Sequence, residues 1–172
     1  MALLEVIRKP PQNSFSALPE GAAGIRATLS AMMRAARIGS TTLEIRELAQ
    51  RIVAPVAARD YAGELSAIQS WVKNNIRYTQ DPVNAEMLKD PIALINDPFG
   101  DCDDMATLVA ALAMSIGFPA RFVAIGTNEI GVFEHVYTEI LLGTVWLSVE
   151  TTEPVRVGWL PDNVKARMIR HI

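Results

Sequence analysis

The chain has 172 residues, of which 50% are hydrophobic and 20% charged, with a formal net charge of −3. That suits one domain, or one domain with a helical extension, around a sizeable core. No basic run and no Lys or Arg interleaved with aromatics points to nucleic acid, the single cysteine excludes an internal disulfide, and no stretch approaches the roughly twenty apolar residues that span a bilayer.

Met1 to Lys9 carries too short an apolar run, too soon before Pro10-Pro11, for a secretory signal. The expected location is the cytoplasm, or a virion packaged from it. Residues 1–20, with Pro10, Pro11 and Pro19, read as an extended, partly ordered arm. From Ala22 to Ile38 the spacing of Ile25, Leu29, Met32, Met33 and Ala36 predicts a first helix, ended by Gly39. Thr41 and Glu44 have capping-box spacing at the start of a second helix, with Ile45, Leu48, Ala49, Ile52, Val53 and Val56 as its buried stripe and Pro55 ending it early. The span 21–60 is thus a helical extension ahead of a core at 61–155.

A third helix is indicated from about Gly63 to Asn75, on Leu65, Ile68, Trp71 and Val72, and Ile76 to Thr79 could begin an extended segment. Residues 80–99 lack periodicity and carry Asp81-Pro82, Asp90-Pro91 and Asn96-Asp97-Pro98. They read as a long surface loop, the wall of a cleft or an ordinary loop. Gly100-Asp101-Cys102-Asp103-Asp104 then opens an apolar helical pattern through Met105, Leu108, Val109, Leu112 and Ile116, with Asp101 as N-cap and Gly117 with Pro119 as the stop.

After this helix the period changes from helical to alternating. Arg121 to Ile125, Phe133 to Leu142 and Val145 to Glu150 read as strands, the last two joined by Gly143-Thr144, a loop that suits a II′ hairpin. The tail from 156 to 172 ends in a basic piece around Lys165, Arg167 and Arg170 and reads as a solvated terminal helix.

Cys102 therefore falls in the first turn of a buried helix. The helix end favours its thiolate, whereas Asp101, Asp103 and Asp104 oppose it, so a reactive thiol there needs a base. The bland alternative is a small buried apolar residue. Counting outward from Leu142 opposite Val145 sets Tyr137 against Glu150 and His135 against Thr152. His135 and Glu150 become diagonal neighbours on one face, with backbones about 7–8 Å apart. A thiol, an imidazole and a carboxylate that fixes its tautomer are the parts of nucleophilic acyl transfer.

Gly100 to Ala106 with Ala111-Leu112 and Ile116 to Arg121 resembles the cysteine helix of the transglutaminase-like superfamily. Glu134 to Glu139 is similar to its histidine strand, and Val145 to Thr152 to its third motif, with Glu150 where Asp is usual. The match covers about residues 60–155, and the helix around Ile68, Trp71 and Tyr78 fits the segment before the site. Short members carried by phages and prophages are a further likeness, resting on residues 76–91.

The resemblance implies an α+β, papain-like core in which a central helix bearing the cysteine packs on a small antiparallel sheet, preceded by extra helices. It implies Cys102 as nucleophile, His135 as general base and acid, and Glu150 as orienting carboxylate, acting on a protein or peptide substrate through a thioester, with no cofactor. Hydrolysis is expected, because a small domain has little surface with which to exclude water. Transamidation and a non-catalytic binding or virion module are the alternatives. A metal site on Asp97, Asp101, Asp103, Asp104 and Glu134 lacks calcium-loop spacing, and the thiols and histidines are too few for closed zinc. Oligomeric state is not legible.

Overall fold

A helix that is apolar on nearly every side belongs in the middle of a fold. The computed structural model describes residues 13–16, 21–80 and 86–172, and in it such a helix begins just after Asp101. In chain order the elements are β1 (Asn13–Ser16), α1 (Gly21–Ser40), α2 (Leu43–Val53), α3 (Tyr61–Asn75), β2 (Arg77–Tyr78), β3 (Glu86–Lys89), α4 (Pro91–Asn96), β4 (Phe99–Gly100), α5 (Cys102–Ser115), β5 (Ala120–Gly126), β6 (His135–Leu142), β7 (Val145–Val149) and β8 (Ala166–His171). Every residue of α5 from Asp103 to Ala113 is buried. The helices α1, α2, α3 and α4 pack around it, and the sheet covers its remaining side.

The sheet has four antiparallel strands in the order β7-β6-β5-β8. Its inner face, with Phe122, Ala124, Val136, Ile140 and Val149, joins α5 and the other helices in one continuous core. Thr138 also faces inward and donates its hydroxyl to the Ala106 carbonyl at 2.7 Å, fixing α5 against β6. The outer face carries a smaller cluster of Val123, Ile125 and Tyr137. Beside it Glu139, 2% exposed, accepts from Arg121 Nε at 2.6 Å and Arg167 Nη2 at 2.9 Å. The Arg121 guanidinium lies 4.2 Å from the Trp146 ring centre, so this buried carboxylate has two cations and an aromatic lid.

The hairpin keeps the expected register: Leu142 pairs with Val145, and the ladder continues to Thr138 opposite Val149. Gly143 has φ +63°, and Thr144 is not among the positive-φ residues, as a II′ turn requires.

Several expectations need correction. Gly39 does not stop α1, which continues to Ser40. A Cβ there would lie 2.8 Å from Pro91 Cγ, so the glycine allows α1 to approach α4. The α2 cap is Thr42 rather than Thr41: Thr42 Oγ1 accepts from Ile45 N–H, while Thr41 Oγ1 donates to the Ile38 carbonyl. The stretch 80–99 is not one loop, because Asp90-Pro91 is a cap followed by a first helical residue, and Asp90 accepts from Ala93 N–H at 2.8 Å. The basic C-terminal piece is strand β8, not a solvated helix. It pairs with β5 from Gly126↔Ala166 to Arg121↔His171 and delivers Arg167 to Glu139. Of the arm at 1–20, residues 13–16 pair with β3 as β1, and the remainder lies outside the described residues.

Candidate active site

Local chemistry sets the start of α5. The Asp101 carboxylate accepts from Asp103 N–H at 3.2 Å and Asp104 N–H at 3.5 Å, so the cap takes those amides and not that of Cys102. Asp104 Oδ1 in turn accepts from Lys89 N–H at 2.7 Å, and the Lys89 ammonium reaches Asp97 at 2.8 Å and the Phe99 carbonyl at 2.5 Å. The chain leading to the cysteine is thus tied to the helix it opens. Cys102 is the first residue of that helix and partly buried.

Burial pushes the Cys102 thiol up to about 12, and the charges of Asp101 and Asp103 add to the shift. A hydrogen bond from Val136 N–H pulls it down, and the more distant Glu150 pushes it up again. A free thiolate is therefore strongly disfavoured, and the sulfur gives up its proton readily only if a cation forms beside it.

His135, the first residue of β6, reaches across to the end of β7, where its Nε2 lies 2.6 Å from Glu150 Oε2. Glu150 is 1% exposed, and its other oxygen accepts from Thr152 N–H at 2.6 Å and Thr152 Oγ1 at 2.8 Å. Burial raises the Glu150 pKa, but the hydrogen bond and charge of His135 and the two bonds from Thr152 outweigh it, so the net shift is downward. The glutamate is thus long enough to meet the ring from a strand-end position, and its carboxylate has donors on both oxygens.

Cys102 and His135 line the same cavity of about 180 Å³, together with Asp101, Asp103, Phe133 and residues of α1. A second, wider hollow of about 450 Å³ shares His135 and Glu134 with it and is bounded by Tyr78, Thr152 and Trp159. His135 therefore stands between two parts of one cleft. Asp101, Asp103 and Asp104 bring carboxylate oxygens within 4.8 Å of one another, and they are the residues that could approach a cation among those described. Asp101 and Asp104 already serve backbone amides.

Two residues that the sequence did not single out for a role help build this site. Gln69 of α3 is buried and donates from Nε2 to the Glu150 carbonyl at 2.7 Å and the Val155 carbonyl at 3.2 Å. Its only sequence signal is an amide inside an otherwise apolar stripe. Tyr78 stands opposite Gly100 in the parallel β2–β4 pair, two residues before the cysteine. Partial desolvation of its hydroxyl, then the charges of Cys102, Asp101 and Asp103, raises its pKa, so the exposed ring keeps a protonated donor.

The model of the transglutaminase-like superfamily core matches residues 46–151. Among solved structures, a proposed cysteine protease of Cytophaga hutchinsonii is similar at 21% identity and TM-score 0.54, over 73% of this chain and 42% of that one. A proposed protease of Parabacteroides distasonis is similar at 11% identity and TM-score 0.60, over 85% of this chain and 36% of that one. Legionella pneumophila LapG is similar at 15% identity and TM-score 0.51, over 78% of each chain. At these identities the likeness is one of fold, and the chain spans less than half of the first two. No curated protein sequence matches. Among the described residues no helix is long and apolar enough to cross a membrane. The family match covers well over half the chain and includes the cysteine helix, the histidine strand and Glu150, so this protein belongs to the transglutaminase-like superfamily.

Proposed function

We propose that this protein is a cysteine hydrolase that cleaves peptide or carboxamide bonds through a thioester on Cys102. The observation that carries the reading is the 2.6 Å contact between His135 Nε2 and Glu150, with His135 and Cys102 lining one cavity. Glu150 accepts the Nε2 proton, which leaves Nδ1 as the base. Cys102 Sγ attacks the carbonyl carbon while its proton passes to Nδ1, so thiolate character develops together with an imidazolium that Glu150 stabilises. This concerted transfer is how a thiol with so high a pKa can act. Collapse of the tetrahedral species breaks the C–N bond, and Nδ1–H protonates the departing amine. Water then gives a proton to Nδ1 as its oxygen attacks the thioester carbon, and collapse breaks the C–S bond, freeing the acid while Nδ1–H returns its proton to Cys102.

The carbonyl oxygen becomes an oxyanion during both steps. The Cys102 N–H, left aside by the Asp101 cap, and the Tyr78 hydroxyl are the donors assigned to it. Tyr78 is 52% exposed at the rim of an open cleft, and an open cleft admits water as acceptor. That favours hydrolysis over transfer to an amine.

The test is incubation with an unfolded protein and a fluorescent primary amine. New amino termini that depend on Cys102, with little amine incorporated, are expected. Dominant amine incorporation would make the protein a transamidase, and neither product would favour a non-catalytic module.

A further inference from the structure

The cavity beside Cys102 has a wall that the family match does not include. Ile25, Leu29 and Met32 belong to α1, which precedes the matched residues 46–151. With Thr28 as the one polar side chain of their wall, they face Phe133, Ala124 and Val136, so the interior of the cavity is mostly apolar on both sides. Its margin carries three carboxylates: Asp101 caps α5, Glu134 accepts from Thr127 and Asn128 N–H at 2.6 and 3.0 Å, and Asp103 is buried in the first turn of α5. A cationic side chain would thus meet Asp101 and Glu134 with donors already in place and Asp103 only 5% exposed, whereas an apolar one would meet mostly apolar walls. The volume, about 180 Å³, slightly exceeds that of an apolar protein cavity of about 150 Å³ that holds a benzene ring. One leucyl- or phenyl-sized group fits, and two do not.

We propose that this cavity is a substrate subsite that takes one uncharged apolar side chain of the residue carrying the attacked carbonyl, and that α1 sets the preference. The inference rests on Cys102 acting as the nucleophile. The wider hollow on the other side of His135 is then left for the departing amine portion.

Peptide aldehydes test this without knowledge of the natural substrate. The thiol adds across the aldehyde C=O: the S–C bond forms, the thiol proton ends on oxygen, and the resulting hemithioacetal shields Cys102 from iodoacetamide. Half-protection by N-acetyl-leucinal is expected at a concentration at least tenfold below that needed with N-acetyl-glycinal or N-acetyl-lysinal. Ile25→Trp, at a partly buried position, should bring the leucinal-to-glycinal ratio close to one. Ile25→Ala should move the preference toward the larger phenylalaninal, and thermal unfolding of both variants confirms that they fold. Equal protection by all three aldehydes, or a preference for lysinal, would overturn the subsite while leaving the nucleophile intact. A thiol that none of them shields, and that iodoacetamide alkylates no faster than an ordinary thiol, would instead overturn the hydrolase reading.

Discussion

Gln69 Nε2 donates to the backbone oxygen of Glu150 at 2.7 Å, across 81 positions of sequence. The amide also serves Val155, and Lys73 one turn later reaches the carbonyls of Glu153 at 2.5 Å and Val155 at 3.2 Å. Helix α3 therefore anchors the strand end from which Glu150 holds His135. Gln69→Leu removes a donor from two acceptors and should cost about 1–3 kcal/mol, the range for leaving buried polar groups unsatisfied. Thermal unfolding measures that loss. A fall in peptide-cleavage kcat larger than the fall in folded protein would show that the contact also positions the carboxylate.

Replacing the carboxylate itself separates stability from chemistry. Glu150 is shifted downward in the folded state, so it stabilises the fold above the ordinary carboxylate value of 4.5, and that contribution disappears as pH falls through the lower folded value. Glu150→Gln should flatten this acid limb in pH-dependent denaturation. It should also lower kcat by about 10²-fold or more, because the imidazolium loses its counter-charge.

Tyr78→Phe distinguishes oxyanion binding from thiol activation. Loss of one donor from an oxyanion site costs about 10²–10³-fold in kcat. Alkylation by iodoacetamide displaces iodide at a saturated carbon and develops no oxyanion. Peptide cleavage should therefore fall by that factor while the alkylation rate holds, a pair of rates measurable on one preparation.

Away from the cleft, Glu139 lies between Arg121 and Arg167, with guanidinium nitrogens 2.5 and 2.9 Å from its oxygens. Glu139→Ala leaves the partly buried Arg121 without its counter-ion. The expected loss is about 3–5 kcal/mol in denaturant unfolding, as when one partner of a buried pair is removed.

Features that depend on local spacing were legible in the sequence. The Asp101 cap with its apolar run specified α5, and the Gly143-Thr144 loop set a register that correctly made His135 and Glu150 neighbours. Features decided by distant partners were not. Arg167 and Arg170 look like the solvated face of a helix until β5 offers an open edge and Glu139 a buried charge. Asp90-Pro91 has the composition of a turn, and the short apolar run Ile92 to Ile95 is too brief to show by its period that a helix starts there. Gln69 showed only as an amide in an apolar stripe, with nothing to name its partners, because its acceptors are backbone carbonyls, which every sequence has.

The central claim is that Cys102 reacts only through a His135 held by Glu150, and the pH dependence of iodoacetamide alkylation tests it most directly in a chain with a single thiol. In the native protein, reaction should persist well below the ordinary thiol value of about 8.5. In His135→Ala, the sulfur keeps the burial and the aspartates that raise its pKa and loses its base, so reactivity should appear only well above the ordinary thiol value. The same profile in both proteins, whether ordinary or alkaline, would contradict the account.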